Sequence, residues 1–71
     1  MKRFDCFLGI VTGVNRCGVY ITSKEGECAF SYEGNLPIGS QVLCTVLKEA
    51  REKLYPRVSI DSVISYGRVA A

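Results

Sequence analysis

Short segments in which apolar and polar residues alternate recur along the chain, and glycine or proline separates many of them. Alternation with a period of two is typical of half-buried β-strands, whereas an amphipathic helix repeats its apolar residues every three or four positions. The pattern predicts five strands, at residues 7–14, 19–23, 27–32, 41–47 and 57–60. The sequence therefore predicts an all-β protein.

The same alternation predicts which side chains face the core. Tyr20 and Arg57 alternate with apolar neighbours, so both are expected to point outward. The side chains predicted to face inward are Val19, Ile21, Phe30, Val42, Cys44, Val46, Val58 and Ile60.

The connections between strands carry turn and loop residues. Gly9 and Gly13 lie within the first strand and predict a sharp bend there, and Gly26 predicts a tight hairpin with a positive φ. Pro37 lies in a loop at 33–40, and residues 48–53 are expected to form an exposed hairpin loop.

At the C-terminal end, Asp61 or Ser62 is expected to cap a short turn, and residues 67–71 are expected to be frayed. The 71 residues are enough for one domain, with its core at about 7–61. Five short antiparallel strands with bendable glycines favour an OB-type barrel over a sandwich, which needs about seven strands. An SH3-like barrel stays open as the alternative.

Five short motifs then occur in a characteristic order: Gly9-Ile10-Val11, Cys17-Gly18-Val19-Tyr20-Ile21, Gly26-Glu27-Cys28-Ala29-Phe30-Ser31, Gly39-Ser40-Gln41-Val42 and Arg57-Val58-Ser59-Ile60. Together they resemble the S1 RNA-binding domain, an OB-fold family. The resemblance implies a single five-stranded antiparallel barrel whose loop between strands three and four is shorter than is usual in the family. Two positions depart from the family pattern, because Cys17 replaces an aromatic residue and Ala29 replaces a histidine.

The resemblance also implies a function, which is weak binding of single-stranded RNA on the outer face of the barrel. Tyr20 and Arg57 occupy positions that contact RNA in the family. Aromatic rings offer stacking surfaces for bases, and cations follow the phosphates. The candidate RNA-binding residues are Tyr20, Arg57, Arg16, Lys24, Tyr32 and Tyr55.

The charge composition gives little support to RNA binding but does not exclude it. Nine basic and seven acidic residues give a net charge of +2, which permits a nucleic-acid partner but does not indicate one. The low charge and the departures at Cys17 and Ala29 keep an alternative open: an accessory OB domain that binds a protein or a second copy and has lost RNA binding. No histidine, phosphate-binding loop or nucleophile motif is present, so we expect neither an enzyme nor a cofactor.

The four cysteines, Cys6, Cys17, Cys28 and Cys44, are separated by 11, 11 and 16 residues and include no C-x-x-C pair. We interpret them as reduced thiols and expect no metal, although a site assembled from all four across the strands stays open. No export signal or long apolar stretch appears, so the sequence predicts a cytoplasmic protein without a membrane partner.

Overall fold

The computed structural model describes residues 1–33 and 35–67, and these form a closed five-stranded barrel. The strands are β1 (Cys6–Val14), β2 (Val19–Ser23), β3 (Cys28–Ser31), β4 (Gln41–Lys48) and β5 (Arg57–Ser65). Their order around the barrel is β1-β2-β3-β5-β4, with β4 closing against β1. The prediction of an all-β protein with a single five-stranded barrel is confirmed, and the barrel is consistent with an OB-like fold.

The prediction that all strands pair antiparallel is wrong at one seam. β3 and β5 run parallel, with Phe30 opposite Arg57, while the other four pairs are antiparallel. The reason is topological, because the connection after β3 leads to the far side of the barrel and β4 pairs with β1 instead. The hairpin that follows β4 then brings β5 back beside β3 in the same direction.

The barrel interior is filled by small, mainly β-branched side chains. The fully buried apolar residues are Val11, Val19, Ile21, Ala29, Val42, Cys44, Val46 and Val58, and Ile60 packs half-buried against them. The predicted inward faces of β2, β4 and β5 are confirmed. The prediction for Phe30 is wrong: it lies half-buried on the outer face, while its neighbours Ala29 and Ser31 fill the interior.

β5 is longer than the alternation predicts. The capped turn expected at Asp61 or Ser62 does not form, because the strand continues through both to Ser65. Register shifts in the β4–β5 pairing let Val63 pack against the core beyond this point. Asp61 stays on the exposed side, where its carboxylate accepts hydrogen bonds from the hydroxyls of Thr45 and Ser59.

The connections agree with the sequence in three places. The hairpin loop predicted at 48–53 lies at 49–56, since Lys48 still belongs to β4; it is exposed except at Pro56 and is closed by backbone hydrogen bonds between Arg51 and Leu54. Gly26 has a φ of 88°, as its hairpin predicts. The register of β1 against β2 shifts between Val11 and Gly13, where a bend was expected. Of the predicted frayed tail, residues 68–71 lie outside the described part of the chain, as does residue 34.

The four cysteines are free thiols that differ in their exposure to solvent. Cys6 and Cys17 are exposed, Cys28 is half-buried and Cys44 is buried among core valines. Burial, followed by the nearby charges of Asp61 and Glu33, raises the pKa of Cys44 to about 12. Cys44 is therefore a neutral thiol that packs as a small apolar side chain.

Ser40 joins the loop before β4 to two other parts of the barrel. Its buried hydroxyl donates to the carbonyl of Pro37 at 2.7 Å and accepts from the amide of Gly67 at 2.8 Å. Its own carbonyl accepts from the amide of Val11 at 2.9 Å. One side chain therefore ties the end of β5 to the loop between β3 and β4.

Replacing Ser40 with alanine is expected to lower the free energy of unfolding by about 1–3 kcal/mol, because the part-buried Gly67 amide loses its acceptor. Chemical denaturation followed by circular dichroism measures this change. Ser62→Ala, at an exposed position of β5, is the matched control and is expected to change stability by less than about 0.5 kcal/mol. Equal stability of the two variants would contradict the role given to Ser40.

Candidate nucleic-acid interface

Four aromatic side chains lie in a continuous row across one outer face of the barrel. Tyr20 of β2 and Phe30 of β3 are register partners, and their ring centroids are 5.0 Å apart. Tyr32, just after β3, lies 4.9 Å from Phe30, and Tyr55, just before β5, lies 5.7 Å from Tyr20. We call these four residues the aromatic row.

The rings of the aromatic row meet edge to face, with interplanar angles of 61°, 79° and 85°. Such contacts stabilise an aromatic pair by about 0.5–1.5 kcal/mol beyond the area they bury. Because each ring is held by a neighbour, the row presents a preorganised surface of ring faces and edges. Tyr32 and Tyr55 are each 57% exposed, so this surface is open to solvent.

Arg57 lies at one end of the aromatic row. Its guanidinium carbon is 4.6 Å from the ring centroid of Tyr32, and Nη2 donates to the Tyr32 hydroxyl at 3.4 Å. The parallel pairing of β3 with β5 sets this position, because it places Arg57 directly beside Phe30. A planar cation is thus fixed next to the stacking surface, where it can contact a phosphate or stack on a base.

The aromatic row forms the floor of an open groove of about 430 Å³. The β4–β5 hairpin borders the groove and contributes Lys48, Arg51 and Lys53. With Arg57, these residues give the groove four cations among the described residues, against a single acid, Glu49. The described residues that line the groove therefore carry a net charge of +3, whereas the whole chain carries +2.

The turn between β1 and β2 borders the groove on another side. The Asn15 side-chain carbonyl accepts from the backbone amides of Cys17 and Gly18, at 2.8 and 3.0 Å, and its amide nitrogen donates to the Tyr20 hydroxyl at 3.4 Å. Asn15 therefore fixes both the turn and the orientation of Tyr20. Cys17 of the same turn also lines the groove.

The structure brings together four of the six sequence-predicted site residues: Tyr20, Tyr32, Tyr55 and Arg57. The other two lie apart from them. Arg16 is exposed in the β1–β2 turn but does not line the groove. Lys24 lies in the β2–β3 hairpin, beside a separate shallow depression that also includes Leu8 and Ile10.

Sequence analysis missed Phe30, although a signal for it exists. The tight hairpin after β2 pairs Thr22 with Cys28, so Tyr20 must pair with Phe30. Register partners project from the same face of a sheet, so an outward Tyr20 implies an outward Phe30. The sequence has no comparable signal for the cations of the β4–β5 hairpin, because their position at the groove depends on how the loop packs over the barrel.

Comparison of the chain with protein-family models, with curated proteins and with solved structures gave no significant match. Among residues 1–33 and 35–67 there is no helix long and apolar enough to cross a membrane. In the same residues, no three histidine, cysteine or acidic side chains come close enough to hold a metal ion.

Proposed function

We propose that this protein is a non-catalytic, S1-like OB domain that binds single-stranded RNA in the groove over the aromatic row. The observation that carries the proposal is the combination of four contacting aromatic rings with four bordering cations on one face of the barrel. Unpaired bases stack on exposed rings, and the cations neutralise the phosphates that connect them.

The exposed rings in the groove favour a single strand over a duplex. In a duplex the base faces are stacked on one another, so they are not available to the rings of Tyr20, Tyr32 and Tyr55. Stacking is tolerant of sequence because every base has a π face, so we expect little base preference. The binding is expected to be weak, because one small groove holds only a few nucleotides.

A titration of labelled single-stranded RNA of about ten nucleotides, at two salt concentrations, tests the proposal. We expect the RNA affinity to fall as the salt concentration rises. We also expect a duplex of the same length to compete poorly for the groove. No binding at about 100 μM protein in low salt would contradict the proposal, since stacking and phosphate contacts together should be detectable there. That result would favour the alternative of a barrel that binds a protein.

Replacing Tyr20 with alanine is expected to weaken RNA binding by about 1–3 kcal/mol, which is about 5- to 150-fold, because the central stacking ring is lost. Tyr66→Ala is the matched control, since Tyr66 is 70% exposed and lies outside the groove. Tyr20→Phe keeps the ring and should bind nearly as well as the original protein. Equal affinity of the Tyr20→Ala and Tyr66→Ala variants would remove stacking on Tyr20 from the proposal.

A further inference from the structure

A second surface of the barrel exposes aliphatic side chains with no partner among the described residues of this chain. Leu8 of β1 lies opposite Leu43 of β4, and Ile10 follows two positions after Leu8 on the same strand. Ile64 extends the set onto β5. The exposed fractions of Leu8, Leu43, Ile10 and Ile64 are 37%, 38%, 45% and 55%. We call these four residues the aliphatic face.

The aliphatic face lies on a different side of the barrel from the groove. It is centred on β1 and β4, which are neighbours in the closed order β1-β2-β3-β5-β4. The groove is centred on β2, β3 and the beginning of β5, and β3 pairs with neither β1 nor β4. A molecule bound on the aliphatic face therefore leaves the groove free.

Charge is nearly absent from the strands that form this face. The outward positions of β1 and β4 are Cys6, Leu8, Ile10, Thr12, Val14, Gln41, Leu43, Thr45 and Leu47, and none of them is ionic. Asp61 borders the face from β5, where Thr45 and Ser59 donate hydrogen bonds to it. Lys24 borders the face on the side of β2, in the depression that it shares with Leu8 and Ile10. The outward positions themselves carry no cation for a phosphate backbone, so the face suits an apolar protein surface instead.

We propose that the partner of the aliphatic face is a second copy of this chain. A two-fold dimer places the same patch against itself, which requires a surface that is self-complementary and free of like charges. An uncharged aliphatic patch meets that requirement. The pairing sets Leu8, Ile10 and Leu43 of one copy against the same residues of the other. It leaves the two bordering charges, Asp61 and Lys24, at the rim.

The size of the face sets the expected strength of the dimer. The four aliphatic side chains expose on the order of 350 Å² in total, which is within the range of functional patches on small proteins. Two such faces with their polar borders would bury about 1,000 Å², at the low end of specific interfaces. We therefore expect a reversible dimer with a dissociation constant in the micromolar range or weaker.

The dimer has a consequence for RNA that rests on the proposed function. With the two aliphatic faces in contact, the two grooves face away from each other on opposite sides of the assembly. A long RNA strand can then occupy both grooves, whereas a short oligonucleotide occupies one. Linking two weak sites in this way raises the apparent affinity for long RNA without any new contact.

Sedimentation velocity over protein concentrations from about 5 μM to about 1 mM tests the dimer. We expect the weight-average mass to rise towards twice the monomer mass for the original protein. Leu43→Glu should remain a monomer throughout, because it places like charges at the centre of the interface. Leu8→Lys provides a second disruption from another strand. Phe4→Glu, at an exposed position outside both the aliphatic face and the groove, is the matched control that still dimerises. A monomer at all concentrations, or dimerisation unaffected by both disruptions, would overturn the inference.

RNA measurements on the same proteins separate this inference from the proposed function. For an oligonucleotide of about ten nucleotides, Leu43→Glu and the original protein should bind with equal affinity per chain. For an RNA of about forty nucleotides, Leu43→Glu should bind at least about tenfold more weakly. A dimer that binds no RNA would refute the proposed function alone, and equal affinities for the long RNA would refute bivalent binding. A monomer that binds short RNA would refute only the dimer.

Discussion

Alanine in place of Gly18 is expected to destabilise the barrel by about 3 kcal/mol or more, a large part of the stability of a domain this small. A Cβ atom at this position would lie 1.9 Å from the backbone carbonyl oxygen of Ser31 and 2.9 Å from Cα of Tyr32. Both neighbours are backbone, so no side-chain rotation relieves the overlap, and the end of β3 must move away from the β1–β2 turn. Urea denaturation of the variant measures the loss.

Gly26→Ala is the control for a general effect of replacing glycine. A Cβ atom at Gly26 would meet no atom of the described residues within 4 Å, but the φ of 88° lies in the left-handed region. That substitution should cost only about 1–2 kcal/mol, from backbone strain. If Gly18→Ala were no more destabilising than Gly26→Ala, the close approach of the turn to β3 would not be a determinant of stability.

The contact at Gly18 also connects stability with the candidate site. Gly18 is held by Asn15, which hydrogen-bonds Tyr20, and it abuts the backbone of Tyr32. The turn thus sets the spacing between two members of the aromatic row on neighbouring strands. A partly folded Gly18→Ala variant is therefore expected to lose RNA binding as well, because the rings no longer share one surface.

The sequence predicted the barrel mainly because its core-facing residues alternate strictly. β2 and β4 are examples: Val19 and Ile21, then Val42 and Val46, are apolar and buried as the period of two requires. Tyr20 and Arg57 could be placed on the outside by the same rule. Phe30 could not be placed by hydrophobicity, because small residues, Ala29 and Ser31, occupy the narrow interior and leave the large ring outside.

The parallel pairing of β3 with β5 and the length of β5 could not be predicted from the local pattern of apolar and polar residues. Phe30 and Arg57 are 27 positions apart, and their pairing depends on where the β3–β4 connection ends rather than on any nearby residue. Val63 reaches the core only after register shifts in the β4–β5 ladder, which interrupt simple alternation. Long-range pairing of this kind determines which cations lie next to the aromatic row. The amino-acid composition cannot predict that pairing.

The net charge of +2 illustrates the difference between composition and arrangement. Averaged over the chain, the charge indicates no particular affinity for nucleic acid. The fold concentrates Lys48, Arg51, Lys53 and Arg57 around one groove. Cations grouped beside stacking surfaces act on the same few phosphates, so the local charge determines the salt dependence of binding.

Neutralising the three hairpin cations together, by Lys48→Gln, Arg51→Gln and Lys53→Gln, is expected to weaken RNA binding on the order of a hundredfold at about 0.1 M salt. Each lost phosphate contact lowers the slope of log affinity against log salt by about 0.7, so the slope should fall by about 2. Titrations of a ten-nucleotide RNA at several salt concentrations give both quantities. The three residues are exposed, so circular dichroism should show an unchanged fold.

The matched control removes three cations that lie outside the groove, by Lys2→Gln, Arg3→Gln and Lys24→Gln. Both triple variants have the same net charge of −1, so a general loss of attraction for RNA affects them equally. Only the hairpin variant should lose the large salt slope, because only its cations border the aromatic row. If both variants lost the same affinity and slope, RNA would be held by diffuse charge rather than in the groove. The stacking surface would then need another ligand.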